Sequence, residues 1–394
     1  MKYYTIFIIT FILINPIFNC ILFSLGIHSA SGQLQIAYIT MFAITLYFFI
    51  KNFSKNLRET RLSLSIILII SLLFFTTQLF YVSENTMYIS EFLCWGASSL
   101  PATLCGAMYS RKSLNDIHKK LPYFIIPLTL IISYVSFTTS GRTSADRIAD
   151  DTTGLNYQSI SYYMAQLFGL TTFCLLTDNH KNKTPNKLIL YVLLLVQFVT
   201  CFSSGGRGGL VLLIFYFIFY IYKKTSQQKT NLTSLVSILF FLAVFFIIVE
   251  QFGLFNTVGY SRLLETFQEG DTNRSILRNL ALNSFYESPI LGHGTGAIFF
   301  EIGTYSHNFL IDILVENGII GLLIIICFLL YCLNFLKKTQ KNYSSIFITI
   351  VFIHALTLNT FSGYWLANHI LWFVFGYILS IRKTQSPNNY SIYG

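Results

Sequence analysis

Apolar runs of bilayer length recur along the whole 394-residue chain, and they constrain its fold more than any other feature. About 20 consecutive apolar residues let a helix cross the hydrocarbon core, where each backbone polar group must find its partner within the helix. Read with a window of about 19 residues, such runs lie near Tyr4 to Leu25, Gln33 to Ile50, Leu64 to Val82, Ile89 to Tyr109, Leu121 to Thr139 and Asn156 to Thr177. They continue near Leu188 to Ser203, Gly208 to Tyr222, Leu232 to Gln251, Asn317 to Leu336, Tyr343 to Phe361 and Tyr364 to Ser380. The fourth is the weakest: Glu91, Ser98, Ser99 and Pro101 interrupt it, so it reads as a broken or re-entrant helix. A composition of 54% hydrophobic and 11% charged residues excludes a soluble domain. The expected fold class is an all-α polytopic membrane protein with about 12 transmembrane helices.

Basic residues set the expected orientation, because short cytoplasmic loops carry the excess of Lys and Arg. Lys51, Lys55, Arg58 and Arg61 fill one connection, and Arg111, Lys112, Lys119 and Lys120 fill the next but one. Clusters at 181–187, 223–229 and 337–341 continue the alternation, and Lys2, Arg382 and Lys383 put both termini in the cytoplasm. The net charge of +10 is therefore a topology signal facing anionic membrane lipid, and nucleic acid is not implied. The first run is longer than the apolar region of a usual signal peptide, so an uncleaved first helix is expected. All seven cysteines fall in apolar runs without CxxC spacing, which argues against a disulfide framework and against a zinc site.

Two outer connections are long, Ser140 to Leu155 and Phe252 to about Tyr305, and long loops are where function concentrates. The expected organisation is helices 1–9 over residues 1–251, a large periplasmic loop between helices 9 and 10 over 252–305, helices 10–12 over 306–383, and a cytoplasmic tail over 384–394. Inside the loop, Asp271 or Thr272 can cap an amphipathic helix that Glu287-Ser288-Pro289 stops. Arg274 and Arg278 share one face of it, beside a stripe of Leu277, Leu280, Ala281 and Ser284 suited to the bilayer surface or to other helices.

The outward basic residues are all arginine: Arg142, Arg147, Arg207, Arg262, Arg274 and Arg278. A guanidinium fork grips phosphate in a bidentate way, so phosphate is the ligand the set suggests. The competing reading is loop structure held through carboxylates, strongest for Arg142 and Arg147 beside Asp146, Asp150 and Asp151. Arg207 stands in Gly205-Gly206-Arg207-Gly208-Gly209, where glycines can bring backbone amides up to a ligand or simply make a hairpin. Gly292-His293-Gly294-Thr295-Gly296 follows no strand and reads as a shaped loop, not a nucleotide loop.

Ser306 is expected to cap the helix of the tenth run, placing His307 in its first turn, where a helix N-terminus welcomes anions. His307 is the leading candidate for chemistry, with Asn308 and Arg142 as supporting candidates; the rival reading is an interfacial histidine bonded to a loop. Gly318 and Gly321 lie on the same face as His307 and would permit close helix packing. Asp312 and Glu316 are costly in a span unless paired or wet, with an outer arginine as the expected partner. His293 and His28 read as structural.

From Arg262 onward the chain resembles the O-antigen polymerase and O-antigen ligase superfamily. The resemblance rests on Arg262-Leu263, Asn273-Arg274-Ser275, the run from Ser288 through Pro289-Ile290-Leu291-Gly292-His293-Gly294, then His307-Asn308 and Gly318-Ile319-Ile320-Gly321. It implies glycosyl transfer outside the inner membrane of a bacterial cell from an undecaprenyl-pyrophosphate-linked glycan, without cofactor or metal. Arg207, Arg262, Arg274 and Arg278 would hold the pyrophosphate, and His307 would accept the acceptor's proton or hydrogen-bond the phosphate. A single displacement would invert the anomeric carbon. The acceptor is either another lipid-linked repeat unit, making the chain a polymerase with a chain-length regulator as a further partner, or lipid A core, making it a ligase. Gly154-Leu155-Asn156-Tyr157-Gln158 and the richness in Ile, Phe, Tyr, Asn and Lys favour the polymerase. A twelve-span transporter is the alternative of another class, but its functional charges would be expected near the midplane, often in related halves.

Overall fold

The computed structural model describes residues 2–25, 31–51, 53–80, 86–109, 117–139, 157–177, 187–227, 272–338 and 343–381. Most of these residues are helical, with no strand among them. In chain order the helices are α1 (Lys2–Ile12), α2 (Ile14–Ser24), α3 (Ser31–Ile50), α4 (Phe53–Phe80), α5 (Thr86–Cys94), a π-helical segment (Trp95–Ser99), α6 (Leu100–Tyr109), α7 (Ile117–Lys120) and α8 (Pro122–Thr139). They continue as α9 (Tyr157–Thr177), α10 (Lys187–Ser204), α11 (Arg207–Gln227), α12 (Thr272–Glu287), α13 (Ile298–Glu301), α14 (Phe309–Lys338), α15 (Tyr343–Phe361) and α16 (His369–Ile381).

Six of the described helices are long and apolar enough to cross a membrane, or seven if the bent pair α1 and α2 counts as one span. That pair, the first expected span, bends by 75°. The opened backbone is re-satisfied from another helix, since Gln166 on α9 donates to the Ile12 carbonyl at 3.1 Å. The weak fourth run is one continuous path through α5, the π-helical turn and α6. Trp95 in that turn donates to Ser71 Oγ on α4 at 2.9 Å, Ser99 to the Leu366 carbonyl at 2.5 Å, and Ser98 to the Cys94 carbonyl of its own helix at 2.5 Å. The ninth expected span, Leu232 to Gln251, lies outside the described residues.

The chain divides into two compact units interleaved along the sequence. The first comprises Met1–Leu34, Leu114–Asp271 and Thr349–Thr357. Its centre is α9, against which α8, α10 and α11 pack. Gln197 on α10 donates to Thr129 Oγ1 at 2.9 Å and to Thr171 Oγ1 at 3.0 Å, joining α8, α9 and α10 by polar contacts that have no water to compete with them in a bilayer.

The second unit comprises Gln35–Ser113, Thr272–Ile348 and Leu358–Gly394. Its tightest pair is α6 with α16, brought to backbone contact by two glycines: a Cβ on Gly106 would lie 2.0 Å from the Phe373 carbonyl oxygen, and one on Gly376 would lie 2.0 Å from that of Thr103. Where helices gain little from leaving lipid, small residues that permit such approach supply the packing energy. Gly376→Leu is therefore expected to remove most folded protein from the membrane fraction, measured as monodisperse protein after detergent extraction. Wild-type yield would contradict this packing.

Candidate active site

The second unit's candidate site is built on α14, which is one helix by hydrogen bonding but broken at Gly318, where φ is 60° and ψ is −163°. In an unbroken helix the N–H groups of Ile319 and Ile320 would donate to the carbonyls of Val315 and Glu316. Here they donate instead to Pro289 at 2.9 Å and Ile290 at 3.4 Å. The freed carbonyls of Val315 and Glu316 accept from His293 at 2.9 Å and Gly294 at 2.8 Å. The Pro289 to Gly294 backbone is thus inserted into the helix, and four hydrogen bonds replace two. Only glycine fits at the insertion: a Cβ on Gly318 would lie 2.2 Å from the Ile290 oxygen, and one on Gly292 would lie 2.4 Å from the Glu316 carbonyl carbon. The expectation that Gly318 serves close helix packing is corrected to this role as a break. The two halves of the sequence signature form one structural piece.

Just before α14 the chain makes the turn that carries His307. Ser306 was expected to cap the helix with His307 inside its first turn; instead the helix starts at Phe309 and Asn308 caps it. The Asn308 side-chain oxygen accepts from the Leu310 N–H at 3.1 Å, and its carbonyl accepts from Asp312 at 3.0 Å. His307 precedes the cap in the left-handed region, at φ 59°, and is the one non-glycine residue there among the described residues. Asp312 holds it so. The Asp312 carboxylate, fully buried, takes the Ser306 N–H at 2.8 Å and the Ser306 hydroxyl at 2.6 Å through one oxygen. Its other oxygen has no hydrogen-bond partner among the described residues. A non-glycine residue held at positive φ costs about 1–3 kcal/mol and persists where the surroundings over-determine it, a condition met at functional sites more often than elsewhere.

An aromatic wall completes the surroundings. The Tyr305 ring meets the His307 ring edge-on at 4.6 Å between centroids, and Tyr305 donates to the Ser362 carbonyl at 3.0 Å. Glu316, also fully buried, accepts from the Tyr364 hydroxyl at 2.7 Å and the Trp365 indole at 3.2 Å. Among the described residues the expected arginine partner for Asp312 and Glu316 is replaced: Ser306 meets one Asp312 oxygen and Tyr364 and Trp365 meet Glu316, because the loops fold back over the helix end and supply neutral donors where a guanidinium would itself need desolvation. The sequence offered these two acids only an arginine partner and no part in shaping the turn; two carboxylates four apart in an otherwise uncharged run were the available signal.

Helix α12 packs on α14, and its Ala281 and Ser284 are buried while Leu280 is exposed. Of the two open readings of its apolar stripe, packing on another helix holds for these residues. Arg274 and Arg278 are half-buried on α12, and the Arg278 Nε is buried without a hydrogen-bond partner among the described residues. His293, expected to be structural, bonds the Ser284 carbonyl through Nε2 at 2.9 Å.

Arg207 belongs to the first unit, where it is the half-buried first residue of α11. The glycines around it pack against α9. A Cβ on Gly206 would lie 2.3 Å from the Ser161 Cβ, one on Gly208 1.8 Å from the Tyr162 hydroxyl, and one on Gly209 2.0 Å from the Ser161 hydroxyl. Close helix contact therefore accounts for three of the four, while Gly205, at φ 80°, makes the turn. Arg142, Arg147 and Arg262 lie outside the described residues.

Fold and site together define an all-α multi-pass membrane protein. Residues 190–326, about a third of the chain, match the family model described as O-Antigen ligase, which supports the resemblance to the O-antigen polymerase and ligase superfamily. The match supports a function of the O-antigen polymerase or ligase type, that of a membrane glycosyltransferase-like enzyme. No curated protein and no solved structure matches the chain.

Proposed function

We propose that the protein is a surface-polysaccharide polymerase that joins undecaprenyl-pyrophosphate-linked repeat units on the periplasmic side of the inner membrane. In this reading both termini are cytoplasmic and residues 252–305 form the periplasmic loop. The observation that carries it is the His307 turn, held in the left-handed region by a buried carboxylate on the helix against which the arginine-bearing α12 packs.

The chemistry follows from the charge that develops. The acceptor hydroxyl oxygen attacks the anomeric carbon, its proton passes to His307, and the bond from that carbon to the pyrophosphate oxygen breaks. The electron pair leaves on undecaprenyl pyrophosphate, whose growing negative charge is met by Arg207, Arg262, Arg274 and Arg278. Arginines already in place stabilise such charge without reorganisation at the moment of reaction. Removing one donor of this kind lowers turnover by about 10²–10³, so Arg274→Ala is expected to lose long-chain glycan at unchanged protein level. Arg207→Lys should also be impaired, since a point charge does not replace a fork. Full-length ladders from Arg274→Ala would remove it from the site.

The family description itself names a ligase, which supports a second reading with lipid A core as acceptor. Gene deletion followed by lipopolysaccharide gel analysis separates the two. Lipopolysaccharide bearing a single repeat is the expected result; bare core accompanied by lipid-linked long polymer would make the protein a ligase, and an unchanged gel would remove both.

A further inference from the structure

The end of α12, the inserted loop and α13 bring together three side chains that the proposed transfer does not use. Glu287, His293 and Glu301 each offer one ligand atom, all within 4.8 Å of one another. The geometry around His293 is the informative part. Its Nε2 stands 2.9 Å from the Ser284 carbonyl oxygen, and a carbonyl only accepts, so Nε2 carries a hydrogen and Nδ1 is the ring nitrogen left to meet a cation. That nitrogen faces Glu301 Oε1 at 3.7 Å. Such a separation is beyond hydrogen-bonding range, and it leaves room for a cation shared between the nitrogen and the carboxylate oxygen.

The spacing suits a metal ion. Ligand bonds of about 2.0–2.1 Å to histidine and about 2.0–2.2 Å to carboxylate let two ligands of one zinc ion lie up to roughly 4.2 Å apart. The second Glu301 oxygen accepts from the Ser284 hydroxyl at 3.1 Å, which turns Oε1 towards His293. Ser284, only 7% exposed, therefore orients two of the three ligands, one through its carbonyl and one through its hydroxyl. Outer partners of this kind fix the tautomer of a ligating histidine and the direction of a ligating carboxylate. Glu287, exposed at the end of α12, offers the third ligand atom within the same 4.8 Å.

We infer that Glu287, His293 Nδ1 and Glu301 bind a divalent transition-metal ion, zinc by ligand type, with water in the remaining position. The ion takes no part in glycosyl transfer. It ties the end of the helix that carries Arg274 and Arg278 to the loop inserted in α14, and so fixes the arginine helix against the break at Gly318.

The test uses the full-length protein purified in detergent with a tag free of histidine, stripped with EDTA, dialysed and titrated with Zn²⁺ against a chromophoric chelator. One Zn²⁺ per chain is expected, with binding weakened at least 100-fold in H293A and about tenfold in E287Q, and with Mg²⁺ and Ca²⁺ failing to compete. Glu287 is exposed, so E287Q should remain monodisperse and separates loss of a ligand from loss of the fold. Saturable binding undiminished in both H293A and E287Q would overturn the site. Absence of saturable Zn²⁺ binding by the wild type would overturn it equally, leaving a His293–Glu301 ion pair.

Discussion

Replacing His307 with glycine is expected to abolish polymer formation while leaving the protein as stable as the wild type or slightly more so. The two halves of this expectation have separate causes. At φ 59° the histidine sits where an L-residue is strained by about 1–2 kcal/mol, and glycine enters that region without cost. The Ser306 and Asn308 contacts with Asp312 are made by neighbours and survive. The imidazole is lost, and a positioned base contributes about 10²–10⁴ in rate. Thermal unfolding in detergent and glycan gels of the same variant read the two effects independently. Normal ladders from His307→Gly would remove the histidine from the chemistry, whereas a large fall in stability would show that the ring serves the fold.

Gly318→Ala is expected to be among the most damaging single-methyl changes in the described residues, because it combines overlap with backbone strain. The new Cβ would lie 2.2 Å from the Ile290 oxygen, on backbone that is itself hydrogen-bonded and unable to retreat. The combination φ 60°, ψ −163° is one that only glycine adopts readily. Overlap and strain together should exceed about 3 kcal/mol, and with them the Pro289 to Gly294 insertion is lost. The extracted protein should aggregate or unfold at a markedly lower temperature. Substituting Gly303, which also has positive φ but meets open space, should cost only the strain. Equal effects at the two positions would contradict the insertion.

The membrane fold was legible because period and length leave little freedom: an uncharged run of about 20 residues has few fates in any compartment. Local hydrogen bonding was not legible. Ser306 is a sound cap by residue type, yet Asp312 recruits both its N–H and its hydroxyl, and the cap moves to Asn308. Nothing in the sequence marks His307 for positive φ, because the turn is imposed by a carboxylate five residues later. Gly318 could be read as a packing residue or a break with equal ease, since the deciding partner is a loop some 25 residues earlier. Around Arg207, glycines that could have exposed amides to a ligand are instead filled by Ser161 and Tyr162, which only the pairing of α11 with α9 reveals.

The most direct measurement is transfer by the purified protein in liposomes, supplied with its undecaprenyl-pyrophosphate-linked repeat unit alone. A ladder of lipid-linked oligomers, one undecaprenyl pyrophosphate released per bond formed and no ladder from His307→Gly, is the predicted result. A protein that leaves the repeat unit intact until lipid A core is added, or that yields the same ladder without His307, would contradict the account.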